Sequence, residues 1–216
     1  MFSPLIIIGG ILAYFIGSIP TAVWFGRIVH RIDIRDHGSG NPGATNTFRV
    51  LGKRAGTIVM LVDIAKGLLA TFLATILLRM GVIPEDKLII TKLVYGMIAV
   101  IGHIFPVFLR FRGGKGVATL LGMMIGIEPV VALFSALIFL VVLLTTKYVS
   151  LSSMLGALSF PLMLVFIKKF QSGEPILVAF GFFLALVVIW SHHKNIKRLL
   201  QGDENKTHLI KKKERG

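Results

Sequence analysis

An all-α membrane protein, a polytopic bundle of seven hydrophobic helices, is the fold class this sequence predicts. Three observations predict it. Of the 216 residues, 55% are hydrophobic and 16% charged, with a mean hydropathy of +0.82, whereas soluble domains run at roughly 45–50% and about 25%. The apolar residues gather in stretches, most of them close to the ~20 residues that cross a hydrocarbon core. The 24 Lys and Arg residues divide unevenly between the two ends of those stretches, as cytoplasmic loops require.

Residues 5–25 form the first expected span, softened at its end by Ser18 and Pro20. The N-terminus has no basic region and no small-residue cleavage site, so this stretch reads as a retained span and not as a signal peptide. Residues 27–36 mix basic and apolar side chains, which suits the headgroup level. The second span is 55–78. It contains Asp63 and Lys66, neighbours on one helical face, either as a neutralising pair or in a role toward a substrate, because ionisable groups inside a span are costly. The third span is 88–109, with His103, expected to be packed and hydrogen-bonded, and Pro106 near its end.

From 117 to 146 the chain is apolar except for Glu128-Pro129. Read as two spans turning at that dipeptide, with the N-terminus outside and the C-terminus cytoplasmic, the topology places 18 Lys and Arg inside and 5 outside. Read as one span, the bias disappears, at 11 against 12. Two spans are therefore the better reading, and the first of them, 117–127, must be a short helix, since ~1.5 Å per residue over that length cannot cross the core. Spans at 149–167 and 175–190 complete seven. Residues 1–204 read as a single membrane domain. Residues 205–216 read as a basic cytoplasmic tail, solvated instead of anchored to headgroups.

Three polar clusters fall on the same side in this topology. The first, Ser39-Gly40-Asn41-Pro42-Gly43-Ala44-Thr45-Asn46-Thr47-Phe48-Arg49, offers hydroxyls, amides, glycine N–H groups and a guanidinium. As an isolated loop it would be an ordinary turn, but such a set also wraps an oxyanion. The second is Arg112-Gly113-Gly114-Lys115-Gly116-Val117-Ala118-Thr119. The third runs from His192 to Glu204, with Asn195 and Arg198, and the serine-rich segment at Ser150 joins them. Together they make an inventory for phosphate at a membrane surface. Neither a Walker A loop nor a dinucleotide fingerprint is present. Without cysteine or an i, i+4 histidine pair, zinc is not expected, nor is a magnesium clamp of paired acids. The basic excess is assigned to topology, and no nucleic-acid partner is expected.

Ser39-Gly40-Asn41-Pro42-Gly43-Ala44-Thr45-Asn46-x-x-Arg49, Gly113-Gly114-Lys115-Gly116-Val117-Ala118-Thr119 and His192-x-x-Asn195-Ile196-x-Arg198-Leu199-x-x-Gly202-x-Glu204 resemble, in order and spacing, the three signature motifs of the bacterial membrane-integral acyl-phosphate:glycerol-3-phosphate acyltransferases. The His-x₄-Asp pattern of the other class of glycerophosphate acyltransferases is absent. The resemblance implies transfer of a fatty acyl group from acyl phosphate to the sn-1 hydroxyl of glycerol 3-phosphate, giving lysophosphatidic acid and phosphate. It implies no cofactor, a multi-pass location in the bacterial cytoplasmic membrane with the site facing the cytoplasm, and a functional link to the enzyme that makes acyl phosphate. Ser39, Arg49, Lys115 and His192 are then the expected catalytic residues. Lys115 with the amides of Gly113, Gly114 and Gly116 would take the acyl-phosphate head beside Ser39 and Arg49. Gly40, Asn41, Thr45 and Asn46 would shape that loop or bind the oxyanion. His192, Asn195 and Ser150 would hold glycerol 3-phosphate, with Arg198 nearby and Glu204 orienting the basic groups. For the proton acceptor, the acyl donor's own phosphate (pKa ~6 for a phosphomonoester) is preferred over His192, because the motifs are dominated by donors. The competing classes are an anion or phosphate transporter, which would want basic groups at the midplane, and a non-catalytic membrane scaffold.

Overall fold

A computed structural model of the chain describes residues 3–171 and 173–206. Nine α-helices and no strands are found among the described residues: α1 Pro4–Ser18, α2 Thr21–His30, α3 Ala44–Arg79, α4 Leu88–Ile104, α5 Val117–Ile127, α6 Pro129–Thr146, α7 Val149–Phe166, α8 Pro175–Ser191 and α9 His193–Gln201. Four helical segments are long and apolar enough to cross a membrane: Ala44–Arg79, Glu85–Leu109, Pro129–Thr146 and Val149–Phe166. The count is up to six if the bent pairs α1–α2 and α8–α9 are each one span. Helix α5 is apolar but has only 11 residues, the short helix its sequence length requires. The basic tail expected at 205–216 lies, from residue 207 on, outside the described residues.

Three boundaries differ from the sequence expectations. The first span is not continuous. Helix α1 ends at Ser18, and α2 starts after Pro20 at an angle of 45°, because a proline removes a backbone donor and excludes a straight continuation. The polar stretch before residue 55 is not all loop. Helix α3 starts at Ala44 and is interrupted at Gly52, whose φ of 86° leaves the helical region, so residues 44–51 form a separate turn-rich helix laid against the span. The third motif also folds as a helix, α9, bent 60° from α8 at His192.

Small residues set the packing. Helix α3 lies against α5, α1 against α4, and α7 between α6 and α8. At the α3–α5 crossing a Cβ on Gly67 would overlap the Thr119 carbonyl, and one on Gly122 would overlap that of Ile64. Backbones therefore touch directly, the small-residue contact favoured where lipid removes the hydrophobic drive between helices. Leu93, Val100, Met123, Phe160, Leu164 and Leu184 form the buried core of α4, α5, α7 and α8. Leu133, Leu137, Val141 and Leu144 of α6 are exposed along one stripe, the face a bilayer would cover.

Asp63 and Lys66 are both buried and paired, with Lys66 Nζ donating to Asp63 Oδ1 at 2.5 Å. Nζ also donates to the Ile19 carbonyl (2.5 Å) in the α1–α2 break, and Thr21 Oγ1 donates to Asp63 Oδ1 (3.0 Å). The break takes the Ile19 carbonyl out of the regular helical ladder, and it accepts instead from Thr21 N–H (3.0 Å) and from the lysine. The pair thus binds the kink of α1–α2 to α3. His103 lies beside it: its Nδ1 is 3.2 Å from Thr119 Oγ1 and 3.9 Å from Asp63 Oδ1. It is packed and hydrogen-bonded, as expected.

Candidate active site

The three motifs converge on one cavity of about 1030 Å³. The first motif is held by Asn46, which is buried at the start of α3. Its Nδ2 donates to the carbonyls of Ile34 (2.9 Å) and His37 (3.0 Å), and its Oδ1 accepts from the Ser39 N–H (2.9 Å). All of the amide's strong contacts are spent on the loop, so Asn46 shapes it. Ser39, Gly40, Asn41, Thr45 and Arg49 line the cavity around it.

The second motif follows the 3-10 turn Val107–Leu109 and leads into α5. The expectation that the Gly113 and Gly114 amides are free for an anion is corrected. Gly113 N–H donates to the Ile104 carbonyl (3.0 Å) and Gly114 N–H to that of His103 (3.2 Å). Gly114 does not line the cavity. It packs over His103, whose imidazole a Cβ there would overlap. These glycines allow close approach to the end of α4. The N–H groups available to an anion are those of the first turn of α5, which has no side-chain cap and whose first helical bond is Leu120 N–H to the Gly116 carbonyl (2.8 Å). Gly116 and Lys115 line the cavity at that helix start.

The third motif closes a hydrogen-bonded chain. Lys115 Nζ donates to Asn195 Oδ1 (2.5 Å), and Asn195 Nδ2 donates to Glu204 Oε1 (2.6 Å). Ser150 Oγ donates to the same Oε1 (3.0 Å), and Arg198 Nε to Oε2 (2.8 Å). Glu204 can return to Asn195 because Gly202, at φ 78°, ends α9 in the left-handed region, which only glycine adopts without cost. His192 sits at the α8–α9 bend, 3% exposed, with its Nδ1 2.8 Å from the Val188 carbonyl. A carbonyl only accepts, so the proton is on Nδ1 and the Nε2 lone pair is left to face a donor.

Beyond this polar end the cavity walls are mostly apolar: Leu120, Leu121 and Met124 of α5, Phe139 and Leu140 of α6, Phe160 of α7, Leu184 of α8. From Ala132 to Leu143 the α6 wall alone runs about 16 Å at ~1.5 Å per residue. A charged, donor-rich head joined to a long apolar slot suits an amphiphile whose head is anionic.

The comparisons agree with that geometry. The family model described as "Glycerol-3-phosphate acyltransferase" matches residues 7–202. A glycerol-3-phosphate acyltransferase of Bacillus cytotoxicus is 45% identical, over 94% of this chain and 95% of its own. One of Salinibacter ruber is 42% identical, over 90% and 89%. The chain belongs to the glycerol-3-phosphate acyltransferase family. The fold is similar to the crystal structure of PlsY (YgiH), an integral membrane glycerol 3-phosphate acyltransferase, in its glycerol 3-phosphate form (TM-score 0.78, 36% identity, 94% of this chain and 96% of that one) and its lysophosphatidic acid form (TM-score 0.78, 34% identity, the same coverage). With its apolar helices, this makes the acyltransferase a multi-pass membrane protein.

Electrostatics separate the site's titratable groups. Burial pushes the Lys115 ammonium down to about 8, against the opposing pull of Glu204. Burial, and then the Lys115 charge, pushes His192 down to about 4. Desolvation and a neighbouring cation both disfavour its charged form. Burial would raise Glu204, but the hydrogen bonds from Arg198, Asn195 and Ser150 outweigh it and hold the carboxyl below its usual range. Sequence reasoning placed Arg112 in the second cluster without a role, and missed Arg35, Lys194 and Asn205 in the lining. Arg112, adjoining the second motif, carried a signal; Arg35 and Asn205 carried none.

Proposed function

We propose that the protein transfers a fatty acyl group from acyl phosphate to the sn-1 hydroxyl of glycerol 3-phosphate, releasing lysophosphatidic acid and inorganic phosphate, at the cytoplasmic face of the bacterial cytoplasmic membrane. Seven hydrophobic helices, N-terminus outside and C-terminus cytoplasmic, carry it as one domain over residues 1–204. The observation that carries this reading is the Lys115–Asn195–Glu204 chain, which closes the polar head of a cavity that continues into a mostly apolar slot. That PlsY has been crystallised in glycerol 3-phosphate and lysophosphatidic acid forms supports the choice of acceptor and product.

Acyl phosphate is a mixed anhydride and arrives activated, so the work is placement, charge masking and oxyanion stabilisation, and no cofactor is required. Lys115, Arg49, Ser39 and the first-turn amides of α5 hold the donor's phosphate and the developing oxyanion. His192 through Nε2, with Ser150, Asn195 and Arg198, holds glycerol 3-phosphate. Glu204 orients Asn195 and Arg198. The sn-1 oxygen bonds to the carbonyl carbon, and the bond from that carbon to the phosphate oxygen breaks. The hydroxyl proton passes to the donor's phosphate and leaves with it. A histidine with a pKa of about 4 is a weaker acceptor than a phosphate near ~6. The enzyme that makes acyl phosphate is the expected functional partner.

The deciding assay is phosphate release from palmitoyl phosphate and glycerol 3-phosphate by the purified protein, with palmitoyl-CoA as the control donor. Phosphate and lysophosphatidic acid in equal amounts, from the first donor alone, are expected. Turnover of palmitoyl-CoA at a comparable rate would overturn the choice of donor.

A further inference from the structure

A second basic pocket adjoins the substrate cavity. It has a volume of about 530 Å³ and is lined by Arg27, Arg35, Phe108, Leu109, Arg110 and Arg112. Arg27 comes from the end of α2, Arg35 from the 3-10 turn Ile34–Asp36, and the other two arginines from the turn that follows Val107–Leu109. Four arginines from three separate segments therefore line one pocket.

Their charge is not balanced by the protein. One carboxylate, Asp33, serves two of them, at 2.7 Å from Arg27 Nη2 and 2.7 Å from Arg35 Nη2. Asp36 adds a weaker attraction on Arg35. Arg110 and Arg112 have no ion pair among the described residues. Like charges gathered with too few counter-charges repel each other, and an anion from outside would relieve that repulsion. The turn that carries two of the arginines is fixed by its backbone. Arg110 and Phe111 are successive non-glycine residues in the left-handed region, at φ 51° and 61°, an arrangement that persists only where its surroundings hold it. Here Phe111 N–H donates to the Pro106 carbonyl (2.9 Å) and Arg112 N–H to that of Leu109 (3.2 Å).

The rim says what kind of anion. The Phe108 ring packs against Trp24 and Phe15 (5.7 and 6.3 Å between centroids). Phe108, Trp24 and Phe111 remain 49%, 42% and 59% exposed. Exposed aromatic rings beside arginines at the end of a span mark the headgroup level, and arginine forks match phosphate oxygens. We infer that this pocket is a second phosphate site, holding the headgroup phosphate of an anionic phospholipid of the surrounding bilayer, side by side with the substrate cavity that shares Arg35 and Arg112. The inference does not rest on the identity of the acyl donor.

The test uses the full chain in neutral detergent, with native mass spectrometry of bound dioleoyl phosphatidylglycerol, dioleoyl phosphatidylcholine and inorganic phosphate. One phosphatidylglycerol is expected to be held about tenfold or more tighter than phosphatidylcholine. Replacing two surface arginines, Arg27→Ala with Arg110→Ala, is expected to weaken it roughly ten- to thirtyfold, while Arg27→Lys with Arg110→Lys retains most of the binding. Arg27 and Arg110 are outside the substrate cavity, so turnover of the double alanine variant stays within about twofold of wild type on the same free-energy scale. Should that variant fail to fold, Arg110→Glu alone, on an exposed turn, gives the same comparison. Equal binding of the two lipids, or wild-type phosphatidylglycerol binding by the variants, would overturn the inference. Displacement of the lipid by inorganic phosphate of equal affinity would assign the pocket to free phosphate instead. Loss of turnover in a stable variant would make it part of the substrate cavity and overturn it as well.

Discussion

Lys115 and His192 are the residues whose chemistry the cavity changes most. With its pKa lowered to about 8, Lys115 is mostly protonated at pH 7 and loses its charge as pH rises through that value. kcat/KM, which reports the free enzyme, is therefore expected to fall above about pH 8 in steady-state assays. Lys115→Ala is expected to reduce kcat more than tenfold, over ~1.4 kcal/mol; a variant keeping more than a tenth of wild-type kcat would remove Lys115 from the proposed role. His192, at about 4, stays neutral from pH 5 upward and gives no limb there. In His192→Ala the acidic limb of the kcat profile is expected to remain, since the substrate phosphate sets it near ~6, while KM for glycerol 3-phosphate rises. If that limb disappeared at unchanged KM, the histidine and not the phosphate would accept the proton. Both side chains were recognisable in the sequence from their motifs. Their proton affinities were not, because desolvation depends on neighbours brought in from other helices.

Elements succeed or fail here through their contacts with one another. Helix α5 is too short to span, and it reaches its place because Gly67 and Gly122 let its backbone touch that of α3. Gly122→Leu is expected to destabilise the protein by about 1–3 kcal/mol through overpacking, read as a lower Tm in detergent; a wild-type Tm would show that the crossing is looser than described. The Asp63–Lys66 pair gives a second test. Lys66→Ala leaves a buried carboxylate without its partner and is expected to cost about 3–5 kcal/mol, whereas Asp63→Asn combined with Lys66→Met should recover much of that loss. The sequence placed these two residues on one face but left their purpose open. The purpose follows from the α1–α2 break, whose Ile19 carbonyl meets Lys66 from 47 residues away. The helical start at Ala44 was hidden for a related reason: its glycines and asparagines read locally as turn, and the helix forms because Asn46 is held by Ile34 and His37.

The whole molecule is arranged by the bilayer. The proposed topology puts Asp86 outside and Gln201 inside. The native chain has no cysteine, so Asp86→Cys and Gln201→Cys can be compared directly in intact cells. A membrane-impermeant maleimide is expected to label the first and spare the second. Labelling of Gln201→Cys but not Asp86→Cys would invert the topology. The apolar stretches, their order and the short helix α5 were all legible in the sequence, because transfer from water to lipid is a property of composition and length. The polar composition of the three motifs was legible in the same way. Where the motifs meet was decided by tertiary structure alone. Only the folded chain turns Glu204 back at Gly202 onto Asn195 and Ser150, commits the Gly113 and Gly114 amides to α4, and sets four arginines from three segments around one pocket. Those arrangements arise from backbone approach and charge between residues far apart in sequence, and no local pattern records them.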